Sequence, residues 1–107
     1  MELANFVFIN CFEVPVGRED AFYELWDEID EFMIKQPGFK YKRLHKSIDD
    51  NATLRFVNIV GWDSIEQFDA AHVDEFRAMW SRPGWSEFAA RPSLYTIVQA
   101  NEGNAGE

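Results

Sequence analysis

Six elements in the order strand, helix, strand, strand, helix, strand make this chain of 107 residues an α+β domain. Three observations predict it. Four separate runs read as strands, the third of them rich enough in apolar and β-branched residues to be buried on both faces. Between the first and second runs, and between the third and fourth, apolar residues recur at helical spacing. Breakers and turn residues, among them Gln36-Pro37-Gly38 and Asp49-Asp50-Asn51-Ala52, separate the runs.

The first strand spans Asn5 to Pro15. Phe6, Phe8, Asn10, Phe12 and Val14 fall on one side, and Val7, Ile9, Cys11 and Glu13 on the other. Pro15 and Gly17 stop it, and Gly17-Arg18-Glu19-Asp20 opens a helix whose acidic first turn suits the positive end of the macrodipole. Phe22, Leu25, Trp26, Ile29, Phe32 and Met33 form its apolar stripe, with Glu24, Asp27, Glu28, Asp30 and Glu31 mostly toward solvent. The second strand, Phe39 to Ile48, carries Lys40, Lys42, Arg43, His45 and Lys46, which places it at an edge or with one wet face.

A hairpin leads into the third strand, Leu54 to Trp62. Leu54, Phe56, Asn58, Val60 and Trp62 share one face, so an amide and an indole point into an otherwise apolar space. Asp63 reads as the cap of the second helix, with Glu66 as its returning partner. The stripe Ile65, Phe68, His72, Phe76 and Trp80 breaks near Val73-Asp74 and continues to Ser81. A helical turn is expected at Ser86 to Ala90, a final strand from Pro92 to Ala100, and a polar, disordered tail from Asn101 to Glu107. The domain therefore covers residues 1–100, in ferredoxin-like βαββαβ order. In the usual arrangement of that unit the first and third strands are central and antiparallel, which makes Asn10 and the Asn58/Trp62 row neighbours. The sequence leaves open which sheet face the helices cover.

Composition narrows the function classes. A net charge of −9 argues against nucleic acid and anionic membrane as partners, because both demand a basic footprint. Cys11 is the single cysteine and no His/Cys cluster has zinc spacing, which fits a reducing cytoplasm without a structural metal. Met1 to Asn5 lacks a signal-peptide pattern, and no apolar run approaches the ~18 residues of a membrane span. Ten Phe, four Trp and three Tyr are too many rings for one small core, so some are expected at a pocket or a subunit interface.

Several short motifs, in order, resemble the antibiotic biosynthesis monooxygenase domains: Ile9-Asn10-Cys11-Phe12-Glu13-Val14-Pro15, Gln36-Pro37-Gly38-Phe39, Arg43-Leu44-His45-Lys46-Ser47, Phe56-Val57-Asn58-Ile59-Val60-Gly61-Trp62-Asp63-Ser64 and Pro92-Ser93-Leu94-Tyr95. The resemblance covers nearly the whole folded chain and implies a dimeric α+β barrel, in which two sheets meet face to face and each monomer keeps its own pocket between sheet and helices. One branch, the cofactor-independent oxygenases of anthrone-type aromatics, is matched by Asn10, Asn58 and Trp62. That branch implies a small aromatic substrate, dioxygen and no cofactor. A haem-degrading branch shares the first-strand Asn but uses a Trp and a late-helix His. Those positions fall here on Ala70 or Ala71 and on Met79 or Trp80, with His72 two turns too early. A non-catalytic, ligand-binding dimer of the same fold is the third reading.

The candidate catalytic residues are Asn10, Asn58, Trp62 and His72. The amides could donate to a substrate oxygen as charge develops, Trp62 could stack or donate, and His72 is the side chain suited to accept a proton. Against these stand a strand amide bonded to buried water, an indole that only packs, and a histidine capping the helix break. Trp26, Phe68, Phe76 and Trp80 are candidate substrate-contacting rings that helical spacing already explains as core and pocket wall. His45 reads as a surface or interface residue, and Cys11 as a small apolar one.

Overall fold

The computed structural model describes residues 6–103. Strand β1 (Phe6–Phe12), helix α1 (Glu19–Met33), strands β2 (Phe39–Lys46) and β3 (Phe56–Trp62), helices α2 (Ile65–Ala71) and α3 (Asp74–Trp80), a single 3-10 turn (Trp85–Glu87) and strand β4 (Ala90–Thr96) follow in order. The strands form one antiparallel sheet in the order β2-β3-β1-β4, with β1 and β3 at its centre and the lysine-rich β2 at an edge. The leader reading of Met1–Asn5, and the last four residues of the tail, lie outside the described residues. No described helix is long and apolar enough to cross a membrane.

The helices cover one face of the sheet. Phe22, Trp26 and Ile29 of α1 join Phe12, Phe56, Met79, Trp85 and Phe88 in one apolar cluster, and Phe6, Val60, Trp62 and Ala71 form another against which Phe8, Phe39 and Phe68 pack. Arg55, 2% exposed, ties the start of β3 to the first turn of α1: it donates to the Val14 carbonyl and pairs with Glu19 at 2.9 Å and Asp50 at 3.2 Å. The hydrogen bond that Arg55 donates to Glu19 holds the pKa of that carboxyl down to about 2.

Local chemistry shifts several boundaries. The α2 cap is Ser64, one residue beyond the expected Asp63: its Oγ accepts from the Gln67 N–H at 3.1 Å and donates to Gln67 Oε1 at 3.0 Å. Gln67 thus fills the role expected of Glu66. The break at Val73 divides the second helical region into two helices of seven residues each, and Ile65 faces solvent. The helical turn sits at Trp85–Glu87, just before the expected Ser86 to Ala90, and β4 begins at Ala90 instead of Pro92 and ends at Thr96. Strand β3 begins at Phe56, two residues after the expected Leu54, where the Arg55 side chain is drawn to Glu19 of α1.

Candidate functional site

Asn10 and Asn58 sit directly opposite each other in the β1–β3 pairing, between the pairs Phe12/Phe56 and Phe8/Val60. Alternation turns both toward the helices, and each is 5% exposed. Polar amides cannot join an apolar cluster without cost, so the core divides at this row. Trp26 stands with the cluster around Phe12 and Phe22, and Trp62 with the one around Phe39, Phe68 and His72. Between them lies a cavity lined by Asn10, Asn58, Trp62, His72, Trp26, Phe76 and Trp80, with Phe8, Phe39, Asp30 and Lys42 among the other residues of its wall.

The four catalytic candidates therefore meet at one site, as do three of the four candidate ring contacts. Phe68 is the exception. Its ring packs on His72 at a centroid distance of 3.9 Å and on Trp62 at 5.8 Å, which directs it into a neighbouring outer groove shared with Phe8, Asn10, His72, Phe76, Trp80, Ala90 and Pro92. The inner cavity encloses about 430 Å³ including its mouth, and only about 30 Å³ of that admits the centre of a water molecule. That is room for roughly two waters. His72, Phe76 and Trp80, with Phe8 and Asn10, line both this space and the outer groove, which measures about 700 Å³ when the open solvent at its surface is included.

Five buried side-chain polar atoms have no hydrogen-bond partner among the described residues: Asn10 Oδ1, Asn58 Oδ1, Trp62 Nε1, Trp26 Nε1 and Arg55 Nε. The first four belong to residues of the cavity wall. An unsatisfied buried group costs about 1–3 kcal/mol, against a total domain stability of roughly 5–15 kcal/mol. Four in one place mark a surface shaped to meet something polar.

His72 ends α2 at the helix break. Its ring Nδ1 bonds the Phe68 carbonyl, so the capping role weighed from the sequence is realised. A carbonyl only accepts, so Nδ1 carries the proton and Nε2 of the neutral ring is left as an acceptor. Burial pushes the His72 pKa below its ordinary value, against the opposing pull of the Phe68 carbonyl and Asp69.

Sequence reasoning missed Lys42 and Asp30. A bulge between Phe39 and Tyr41 changes the parity of β2, so that Phe39 and Lys42 both face the helices although their numbers differ by three. Lys42 Nζ lies 2.8 Å from Asp30 and 5.7 Å from the Trp26 ring centroid. Asp30 and Lys42 thus stand at the cavity beside His72. Asp30 was legible as a neighbour of Trp26, four residues on along α1. His45 is exposed and bonds the Val57 carbonyl through Nδ1, and Cys11 is half-buried on the opposite sheet face from Asn10.

At the late-helix position where the haem-degrading branch has its ligand, Met79 is buried in the apolar cluster around Phe12 and Trp80 offers no ligating atom, so neither supplies a haem ligand; His72 keeps Nε2 free but lies two turns earlier. Among the described residues no group of three or more His, Cys, Asp and Glu side chains could hold a metal ion.

No curated protein matches the chain. Solved structures do. A protein of Shewanella loihica PV-4 proposed to be a monooxygenase is 30% identical, with a TM-score of 0.77 over 94% of this chain and 100% of that one. SnoaB, a cofactor-independent oxygenase from Streptomyces nogalater, is 23% identical with a TM-score of 0.74, covering 89% of this chain and 94% of its own. The haem degrader MhuD of Mycobacterium tuberculosis, solved with two haems in its active site, is 21% identical with a TM-score of 0.69, covering 91% and 99%. At these identities the last two establish the shared fold alone. The model of the antibiotic biosynthesis monooxygenase family matches residues 5–79, and the chain belongs to that family.

Proposed function

We propose that the protein is a homodimeric monooxygenase that oxidises a flat, electron-rich aromatic compound with dioxygen and no added cofactor. The observation that carries this reading is the set of four partnerless polar atoms, two amide acceptors and two indole donors, around the cavity beside a neutral histidine. SnoaB, described as cofactor-independent, shares the fold.

The chemistry follows from what these groups can exchange. An anthrone-like ring CH₂ adjacent to a phenol or ketone loses a proton to Nε2 of His72. The enolate oxygen that results gains hydrogen bonds from the amide NH₂ groups of Asn10 and Asn58 and from the Trp62 indole, while the amide oxygens accept from a substrate hydroxyl before ionisation. The electron-rich carbanion passes one electron to dioxygen, and the radical and superoxide combine into a peroxide. Loss of water leaves a ring carbonyl, so CH₂ and O₂ become C=O and H₂O. The peroxide takes back the proton held by His72 before water leaves, and all four electrons that dioxygen gains come from the CH₂ carbon.

A fused-ring compound needs more room than two waters occupy. Movement of the Phe76/Trp80 partition would join the cavity to the outer groove and supply it. The dimer is supported by the opposite sheet face. Val7, Ile9, Val57, Ile59 and Tyr41 lie there half-buried with no described helix over them, and Tyr95 is exposed beside them.

The test is oxygen uptake by purified, chelator-treated protein supplied with an anthrone-type compound. Uptake is expected, slowed at least tenfold by Asn58→Ala and by Trp62→Phe. A fully active Asn58→Ala/Trp62→Phe double variant would overturn the assignment, and tight binding with no uptake would favour a non-catalytic binding protein.

A further inference from the structure

Resting on that reading, we propose that Trp26 and Lys42 form a second oxygen-binding edge of the cavity. The substrate is then an aromatic compound carrying neutral oxygen groups, hydroxyl or carbonyl, at two separated positions, and not an aromatic carboxylate.

The indole of Trp26 is the first observation. It is 5% exposed, its Nε1 has no partner among the described residues, and an indole N–H can only donate, so the atom calls for an acceptor that those residues do not supply. It is a second donor, separate from Trp62. Each indole is embedded in a different apolar cluster, with the paired amides of Asn10 and Asn58 between the two. A ligand held by Trp62 and the amides at one oxygen meets the Trp26 side at another part of its ring.

Lys42 adds further donors on the same side. Its ammonium has three N–H bonds and lies 2.8 Å from Asp30 and 5.7 Å from the Trp26 ring centroid, with about a quarter of the side chain exposed. Asp30 decides the kind of oxygen. Its carboxylate cancels the lysine charge, so a ligand carboxylate would gain little attraction from Lys42 and would meet repulsion from Asp30. A phenol or carbonyl oxygen needs only a donor and suffers no such penalty.

Titration calorimetry of the full chain without oxygen, so that no turnover intervenes, separates the possibilities. Three probes are compared: a naphthol, a naphthalenediol with its hydroxyls on opposite rings, and a naphthoate. The diol is expected to bind about tenfold more tightly than the naphthol, equivalent to ~1.4 kcal/mol, and the naphthoate more weakly than either. Trp26→Phe should cut the advantage of the diol to twofold or less. Asp30→Asn, which leaves the lysine charge uncompensated, should raise naphthoate affinity about tenfold. Equal binding of naphthol and diol by the unaltered protein, or tightest binding of naphthoate, overturns the second edge while the proposed oxygenase survives. Failure of all three to bind removes both. The comparison of probes on unaltered protein stands even where a variant fails to fold.

Discussion

Asn10 and Asn58 are exact register partners on the two central strands, each 5% exposed, and the side-chain oxygen of neither has a hydrogen-bond partner among the described residues. Every other inward position of these two strands is apolar: Phe6, Phe8 and Phe12 on one, Phe56, Val60 and Trp62 on the other. A sheet built for stability alone would continue the row with Leu or Val. The amides interrupt it at the one place where the core divides and the cavity opens.

That cost is measurable. Asn58→Leu removes an unsatisfied acceptor and restores apolar packing, so it is expected to stabilise the protein by about 1 kcal/mol while lowering oxygen uptake at least tenfold. Urea denaturation read beside activity checks both. A loss of stability instead would identify the amide as a structural group already satisfied by buried water.

The His72 ring predicts a pH dependence of known sign. Burial lowers its folded-state pKa below the value of about 6.5 that an unfolded histidine shows. The unfolded chain therefore takes up this proton first as pH falls. The contribution to stability is complete above about pH 6.5 and is lost as pH falls through the lower folded value. Thermal melts between about pH 7.5 and pH 5 should show a smaller decline for His72→Gln than for the unaltered protein. For the same reason kcat/KM, if His72 accepts the proton, should hold below pH 6.5 before falling.

The aromatic partition should govern access. Phe76→Ala removes a ring that packs at 4.6 Å on His72 and 5.7 Å on Trp80, between the inner cavity and the outer groove. Binding of a three-ring compound is expected to accelerate severalfold in stopped-flow measurements, with a stability loss of about 2–3 kcal/mol because Phe76 is only partly buried. An unchanged association rate would place the entry elsewhere.

Gly38 supplies a test of the scaffold. Its φ of 87° is left-handed, and an added Cβ would lie 2.4 Å from Gln67 Oε1, the side chain that completes the Ser64 cap. Gly38→Ala should therefore cost about 2 kcal/mol through backbone strain and a disturbed cap together, seen as a lower urea midpoint. A substitution on the opposite sheet face, Ile59→Glu, should leave this midpoint less affected but convert the proposed dimer to a monomer in light scattering.

Much of the site was legible because strands alternate. Once Asn10 and Asn58 were placed on strands, their parity followed, and with it the company of Phe12, Phe56 and Trp62. Lys42 was hidden by the same rule, since one extra residue in a bulge reverses the face of everything beyond it and leaves no mark in composition. Phe68 shares the helical stripe of His72 and Phe76, yet its ring packs against Trp62 and His72 and lines the outer groove only, a neighbour relation that spacing does not reveal.

What the amino-acid order determined by itself was local: where strands and helices run, which residues break them, and that two amides and an indole must face the same way. These follow from backbone geometry that each short segment carries within it. Tertiary structure decided which groups remain without partners, how little space lies between them, and that Lys42 bends over Trp26 to reach Asp30. Such facts depend on how distant segments pack, because satisfaction of a polar atom and the volume of a cavity are set by neighbours that the local chain does not contain.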